Sequence, residues 1–171
     1  MTTDQTIDVA IIGGGPAGYA AAIYAARANL TTTVLEQGMS GGQIATSNEI
    51  ENYPGIPLLS GVELGERFQQ HAEGLGAQVE WSMVTGVDYD ADAAQFAIHH
   101  DMGDTVAKSV IACMGATPRP AGFVGEDTYR GRGVSYCATC DGMFFRGKQV
   151  FVIGGGNSAC EEALFLSDIA S

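Results

Sequence analysis

Cys137 and Cys140 stand two residues apart in the stretch SYCATCDG, with Asp141 directly behind the second cysteine. Three chemistries suit such a pair: two ligands of a metal, a staple across a loop, or a dithiol that cycles with a disulfide. The chain has four cysteines, too few for a disulfide scaffold, so a close pair in a reducing compartment suggests catalytic or metal use. Spacing alone leaves the three uses open. The histidines His71, His99 and His100 have no metal-ligand spacing to a cysteine and read as surface or packing residues.

A second chemistry is written in glycine. IDVAII, from Ile7 to Ile12, is a short apolar run of the kind a strand buried on both faces shows, and it leads directly into GGGPAGYAAAIYAARANL. Gly13, Gly15 and Gly18 fit G-x-G-x-x-G: the first permits a tight turn, the second lets backbone approach a pyrophosphate, and the third lets a helix pack close to its strand. Pro16 and Ala17 fall at the helix start, whose N–H groups face the phosphates. TTTVLE then reads as a second strand ending in Glu36, followed by Gln37. Glu36 lies 18 residues past Gly18, close to the spacing of about 20 expected of the acid that holds ribose hydroxyls.

The elements that must position these residues follow from the pattern around them. Gly38 to Pro57 is rich in Gly, Asn and Pro and reads as a long loop, the kind that tends to be functional in a compact domain. SGVELGERFQQHAEGLGA reads as a structural helix, with Ser60 and Glu63 spaced as a capping box and Leu64, Phe68 and Leu75 on one face. Between Val79 and Ile111, short alternating segments predict a small antiparallel meander and then a strand that returns to the main sheet. GATPRPAGFVGE marks a linker. Beyond it KQVFVIGGGNSACEEALFLS repeats the opening logic: an apolar strand, Gly154 and Gly156, then Asn157, Ser158 and Ala159, with Ala159 in the third position that the dinucleotide pattern allows. Two such turns imply two dinucleotides. The second helix reaches Ser171 before any acid or arginine that would choose NAD or NADP. The expected class is α/β: a Rossmann-like three-layer domain with a meander over residues 1–117, then the start of a second nucleotide-binding domain over 118–171. Cys113, in an apolar strand, and Cys160, on the second helix, read as buried, hydrophobe-like cysteines.

Composition narrows the partners. The 171 residues are 46% hydrophobic with 24 glycines, enough for an ordinary packed core. A net charge of −12 with eight Lys+Arg argues against nucleic acid and against an anionic membrane surface, which need clustered basic residues. MTTDQTIDVAIIGGG lacks a basic region followed by a cleavage site, and no apolar run approaches the roughly 20 residues of a membrane span. The expectation is a cytoplasmic protein whose acidity serves solubility.

With these motifs in place, the chain resembles the low-molecular-weight, bacterial-type thioredoxin reductases of the pyridine nucleotide-disulfide oxidoreductase family. The matching segments run the whole length: GGGPAGYAAAIYAARANL, GGQ (Gly41, Gly42, Gln43), ENYPG with Asn52, GRGVSYCATCDG and VIGGGNSACEEAL. The resemblance implies an FAD domain made of two sequence pieces, with a nicotinamide domain carrying Cys-x-x-C inserted between them. The first FAD piece is expected to be complete and only the opening of the inserted domain present, so the 171 residues alone are expected not to turn over NADPH.

The chemistry implied is hydride transfer from NADPH to FAD, reduction of a Cys137–Cys140 disulfide, and exchange with thioredoxin. Cys140 would be the flavin-proximal sulfur, Cys137 the one that attacks thioredoxin, and Asp141 the acid or base for the leaving thiol. Zinc would need further ligands that the sequence lacks. Gly41, Gly42, Gln43, Asn52 and Gly115 would join the FAD site, the full-length protein would be a homodimer, and the linker from Thr117 to Gly122 would be a hinge between rotating domains. The chain departs from the family at Cys113 and Met114, which stand with Gly115 where Ala-Thr-Gly is common; a hydroxyl is lost while the backbone role of Gly115 remains. Two other readings compete: a relative that oxidises small dithiols or draws electrons from ferredoxin, and a non-catalytic FAD-binding fragment.

Overall fold

The computed structural model describes residues 6–171. Residues 1–5, the start of the N-terminal stretch read above as lacking a leader, lie outside the described residues. The chain divides after Ala116 into two compact units, the second being Thr117–Ser171.

The first unit is built on six strands: β1 (Ile7–Ile12), β2 (Thr32–Glu36), β3 (Gln78–Trp81), β4 (Val84–Asp90), β5 (Gln95–His100) and β6 (Gly103–Ala112). Their order is β3-β2-β1-β6-β5-β4. β1 runs parallel to β2 and to the second half of β6, while β4, β5 and the first half of β6 form the antiparallel meander. β6 therefore serves as both meander strand and returning strand. Its two ladders meet at Ala107, which pairs with Phe96 on one side and Ile7 on the other.

Alternation along β1 divides the core. Val9 and Ile11 point to one face, where they pack with Val34, with Tyr19, Ala22, Ala25 and Ala26 of α1 (Pro16–Arg27), and with Ala72 of α2 (Gly61–Gly74). Ala10 and Ile12 point to the other, against Leu35, Ile98 and Ala107. The result is three layers of helices, parallel strands and meander. α1 can lie close because its inner face is mostly alanine. α2 begins with the expected capping box, Ser60 accepting from the Glu63 N–H while the Glu63 carboxylate accepts from Ser60. Its inner face differs from expectation at one end: Leu75 is the C-cap and 40% exposed, and Ala72 takes the buried position.

The second unit holds α3 (Glu126–Tyr129), α4 (Ala138–Asp141), a 3₁₀ turn (Gly142–Phe145) and α5 (Asn157–Ser167). The strand expected over KQVFVI is not formed: residues 148–153 carry no ladder, and Phe151 is 82% exposed. An apolar run becomes a strand by pairing its N–H and C=O groups with a neighbour, and no described strand of this unit offers one. α5 accordingly buries no residue fully. No described helix is long and apolar enough to cross a membrane.

Candidate active site

The turn after β1 shows why its glycines are glycines. Gly13 donates to the Leu35 carbonyl at 2.8 Å with φ at +104°, and a Cβ there would lie 2.4 Å from the Cys113 carbonyl oxygen. A Cβ on Gly18 would lie 1.8 Å from the Gly13 oxygen. Gly15 is different, since the only neighbour of a Cβ there is the Gly41 oxygen at 4.0 Å. Its face is open. Gly15 is also the N-cap of α1 and provides no capping side chain, so the first-turn N–H groups after Pro16 lack side-chain partners.

Glu36 is buried at the end of β2 beside this turn. One carboxylate oxygen accepts from the Gly14 N–H and the other from the Gly38 N–H at 2.7 Å. Each oxygen keeps a lone pair for a further donor. Gln37 is exposed immediately after it.

The loop beyond is pressed between the turn and α2. Gly41 donates to the Gly14 carbonyl at 2.8 Å, and a Cβ on Gly42 would lie 3.4 Å from the Gly15 Cα. On the other side α2 presents glycine to the loop: a Cβ on Gly65 would be 2.3 Å from the Ser40 oxygen, and one on Gly61 1.8 Å from the Ile44 oxygen. Gly41 and Gly42 are thus brought against Gly13–Gly18, and Gln43 follows in a 3₁₀ turn (Gly42–Thr46). Tyr19, fully buried on α1, bonds Ser40 Oγ at 2.7 Å. Gly14, Tyr19, Ser40, Gly61 and Gly65 were not anticipated as part of the site. A helix beginning G-V-E-L-G, with glycines four apart on one face, was the available signal of close backbone approach.

Gly115 has φ at +66° and follows Cys113, whose N–H bonds the Ile12 carbonyl at 2.8 Å. That places it at the carboxyl end of the parallel strands, alongside the Gly13 turn. Met114 is 71% exposed there. Asn52 is exposed in a loop closed by pairing of Ile50 with Leu59.

In the second unit Cys137 and Cys140 form a disulfide across the start of α4. Ser135 Oγ donates to Asp141 Oδ2 at 2.6 Å and accepts from the Cys137 N–H at 3.1 Å, while the Asp141 N–H bonds the Cys137 carbonyl. The segment is fastened by Glu126, a buried carboxylate that sequence reasoning passed over. It accepts from the Tyr136 hydroxyl and from the N–H groups of Ala121 and Gly122, at 2.8 and 2.6 Å. The Tyr136 phenol and these N–H groups hold the Glu126 carboxyl below its ordinary range, and the same carboxylate pushes the Tyr136 phenol up. The Arg130 guanidinium lies over the Tyr136 ring, 4.8 Å from its centroid.

The second glycine turn has Gly154 at φ +137°, where a Cβ would be 3.2 Å from the Ala159 Cβ. Gly156 caps α5 without a side-chain bond, and Asn157 and Ser158 are exposed at its first turn. Two cysteines depart from expectation. Cys160 is exposed, because α5 has no sheet beneath it in this unit; Cys113 is only half-buried, and burial pushes its thiol up.

The family model for pyridine nucleotide-disulphide oxidoreductases matches residues 7–171. The chain belongs to that family. Among its relatives this family member is 42% identical over 175 residues to the thioredoxin reductase of Bacillus subtilis, and 45% identical over 172 residues to that of Coxiella burnetii. Both alignments take in all of this chain but only 54% and 53% of the relative. The solved thioredoxin reductase of Streptococcus pyogenes superposes with a TM-score of 0.90 at 42% identity, covering 98% of this chain and 54% of the other. That of Giardia duodenalis gives 0.89 at 40%, with the same coverage. The chain spans about half the length of the relatives it matches. Both halves of the sequence reading, the dinucleotide turn and the cysteine pair, thus fall within one family of flavin- and nicotinamide-dependent disulfide oxidoreductases.

Proposed function

We propose that this chain supplies the first FAD-binding piece and the redox disulfide of an NADPH-dependent thioredoxin reductase. The observation that carries the reading is the pairing, in one chain, of an open glycine turn beside a buried carboxylate with an accessible Cys137–Cys140 disulfide backed by Asp141.

The residues present fit FAD. The open face at Gly15 and the uncapped first turn of α1, formed by Pro16, Ala17 and Gly18, would hold a pyrophosphate. The spare lone pairs of Glu36, with Gln37 beside it, would take ribose hydroxyls, and Gly41, Gly42, Gln43, Asn52 and Gly115 would complete the site. Bound there, FAD supplies a ring that accepts two electrons from a nicotinamide and hands them to a disulfide. Gly154, Gly156, Asn157, Ser158 and Ala159 would receive the NADPH phosphates in the same manner.

Exchange with thioredoxin then runs through this chain's own sulfurs. The Cys137 thiolate attacks one sulfur of the partner's disulfide, forming a mixed disulfide and releasing the other sulfur as a thiolate. The Cys140 thiolate next attacks Cys137, closing Cys137–Cys140 and freeing the second partner thiol. Two electrons have passed to thioredoxin. Asp141, the residue after Cys140 at the end of α4 and held by Ser135, moves the proton to or from the leaving sulfur.

The test is capture. Chemically reduced Cys140→Ser, which keeps the attacking sulfur and lacks the resolving one, is mixed with oxidised thioredoxin and resolved by mass on a non-reducing gel. It should accumulate a one-to-one mixed disulfide, and Cys137→Ser should not. Failure of both variants to capture thioredoxin, with the wild-type disulfide reducible, overturns the proposal.

A further inference from the structure

Tyr19, the largest fully buried side chain among the described residues, has no place in the chemistry above, yet it stands directly beneath the dinucleotide turn. A Cβ on Gly14 would lie 2.9 Å from the Tyr19 hydroxyl oxygen and 3.1 Å from Glu36 Oε2. The phenol is a strut under the turn.

From it a line of hydrogen bonds runs outward, and its polarity can be worked out. Glu73 accepts only, so the Gln69 amide must turn its nitrogen to Glu73, as it does at 3.1 Å. The Gln69 oxygen is then free to accept from Ser40 Oγ, and that bond is made. Ser40 has spent its one proton, so the 2.7 Å bond between Tyr19 and Ser40 is donated by the phenol. Burial pushes the Tyr19 phenol up, which keeps that proton in place. One end of this relay supports Gly14, its middle holds Ser40 of the loop, and its far end is anchored on α2. Gly41, next in the chain after Ser40, is the residue whose N–H closes onto the Gly14 carbonyl.

We infer that Tyr19 is a positioning residue for the dinucleotide site: through Ser40 and Gln69 it locks the Gly41–Gly42 segment against the Gly13–Gly18 turn. The inference rests on the FAD reading for its consequence, tighter flavin binding, but not for the locking itself. The relay is buried at Tyr19 and Ser40 and reaches the surface at Gln69 and Glu73; its buried end, with both hydroxyls hydrogen-bonded, selects one arrangement of the loop.

The experiment compares Tyr19→Phe, Ser40→Ala, the double variant, and Ile98→Ala as a control that weakens the core on the meander side without touching the relay. The first measurement is amide hydrogen exchange at Gly41 relative to the amides of β1. Tyr19→Phe and Ser40→Ala should each lose about tenfold in this ratio, the size of one buried hydrogen bond, and the double variant should lose no more than either. Ile98→Ala should leave the ratio unchanged. An unchanged ratio in Tyr19→Phe, or a loss in Ile98→Ala as large, overturns the inference. The second measurement is FAD affinity by fluorescence. It should weaken in the two relay variants and hold in the control; equal affinity across all four also overturns the inference. If wild type binds no FAD, the functional reading fails, and the exchange ratio alone decides the role of Tyr19.

Discussion

The hydroxyl of Ser135 bridges the two chemical ends of the cysteine pair: it donates to Asp141 Oδ2 at 2.6 Å and accepts from the N–H of Cys137 at 3.1 Å. One side chain therefore sets both Asp141 and Cys137, the acid and the attacking sulfur of the proposed exchange. On the proposed function, Ser135→Ala should slow reduction of oxidised thioredoxin by the pre-reduced chain about tenfold, the size of one hydrogen bond to a charged group. Rapid-quench alkylation measures the rate. An unchanged rate would mean that Asp141 finds its position without Ser135.

The second and third glycines of the first turn should respond in opposite ways to the same substitution. Gly18→Ala drives a methyl into the Gly13 carbonyl and should cost about 3 kcal/mol of stability. Gly15→Ala meets open space and should cost less than about 1 kcal/mol, while on the proposed FAD site its flavin affinity falls, because the methyl would stand in the path of the pyrophosphate. Urea unfolding and flavin fluorescence on both variants check the contrast.

Acid should loosen the segment that carries the Cys137–Cys140 disulfide through Glu126. Its carboxyl is held below the ordinary glutamate value of about 4.3, first by the Tyr136 phenol and then by the Ala121 N–H. A depressed folded pKa stabilises fully above the unfolded value, and that contribution is lost as the pH falls through the folded one. Amide protection in the second unit should therefore decline as the pH drops below about 4.3, and Glu126→Gln should flatten that decline while lowering protection at neutral pH. Exchange rates read at several acid pH values test both halves.

His99 has the opposite sign. Asp104 and then Asp88 raise its imidazole, from Nδ1 at 2.8 Å and Nε2 at 3.1 Å, so it ties β5 to both neighbouring strands when charged. Its contribution is fully present below the ordinary histidine value of about 6.5 and is lost as the pH rises through the raised folded value. An NMR titration should place His99 above that ordinary value, and Asp104→Asn should bring it down.

Much of the first unit was legible because its signals are local. Gly18 is demanded by the Gly13 carbonyl five residues before it, and Ser60 with Glu63 forms a cap within one helical turn; Gly13 stands in a recognisable local pattern although the atoms that exclude a side chain there belong to Cys113. The meander strands announced themselves by alternation. What sequence reasoning missed depends on distant partners. Ser40 meets Gln69 and Tyr19 across 29 and 21 residues, and no pattern around any of them marks the meeting. The apolar KQVFVI run has strand composition, but a strand is a relation between two segments, and Cys160 is exposed for want of the same neighbour. Glu126 looked like one acid among 20 Asp and Glu; only the turn of backbone N–H groups around it makes it an anchor.

The double duty of β6 has a consequence for where this chain tolerates change in length. Because a ladder with β5 ends and a ladder with β1 begins at Ala107, an added residue on either side of it would turn one half of the strand inside out while leaving the other half in place. Ile98 and Ile12 would lose their shared floor together. The tip between Asp90 and Gln95 belongs to a single hairpin, and its residues 91–94 are exposed. That hairpin tip is where a peptide tag or a fused domain can be inserted, and β6 is where even a single inserted alanine should abolish folding.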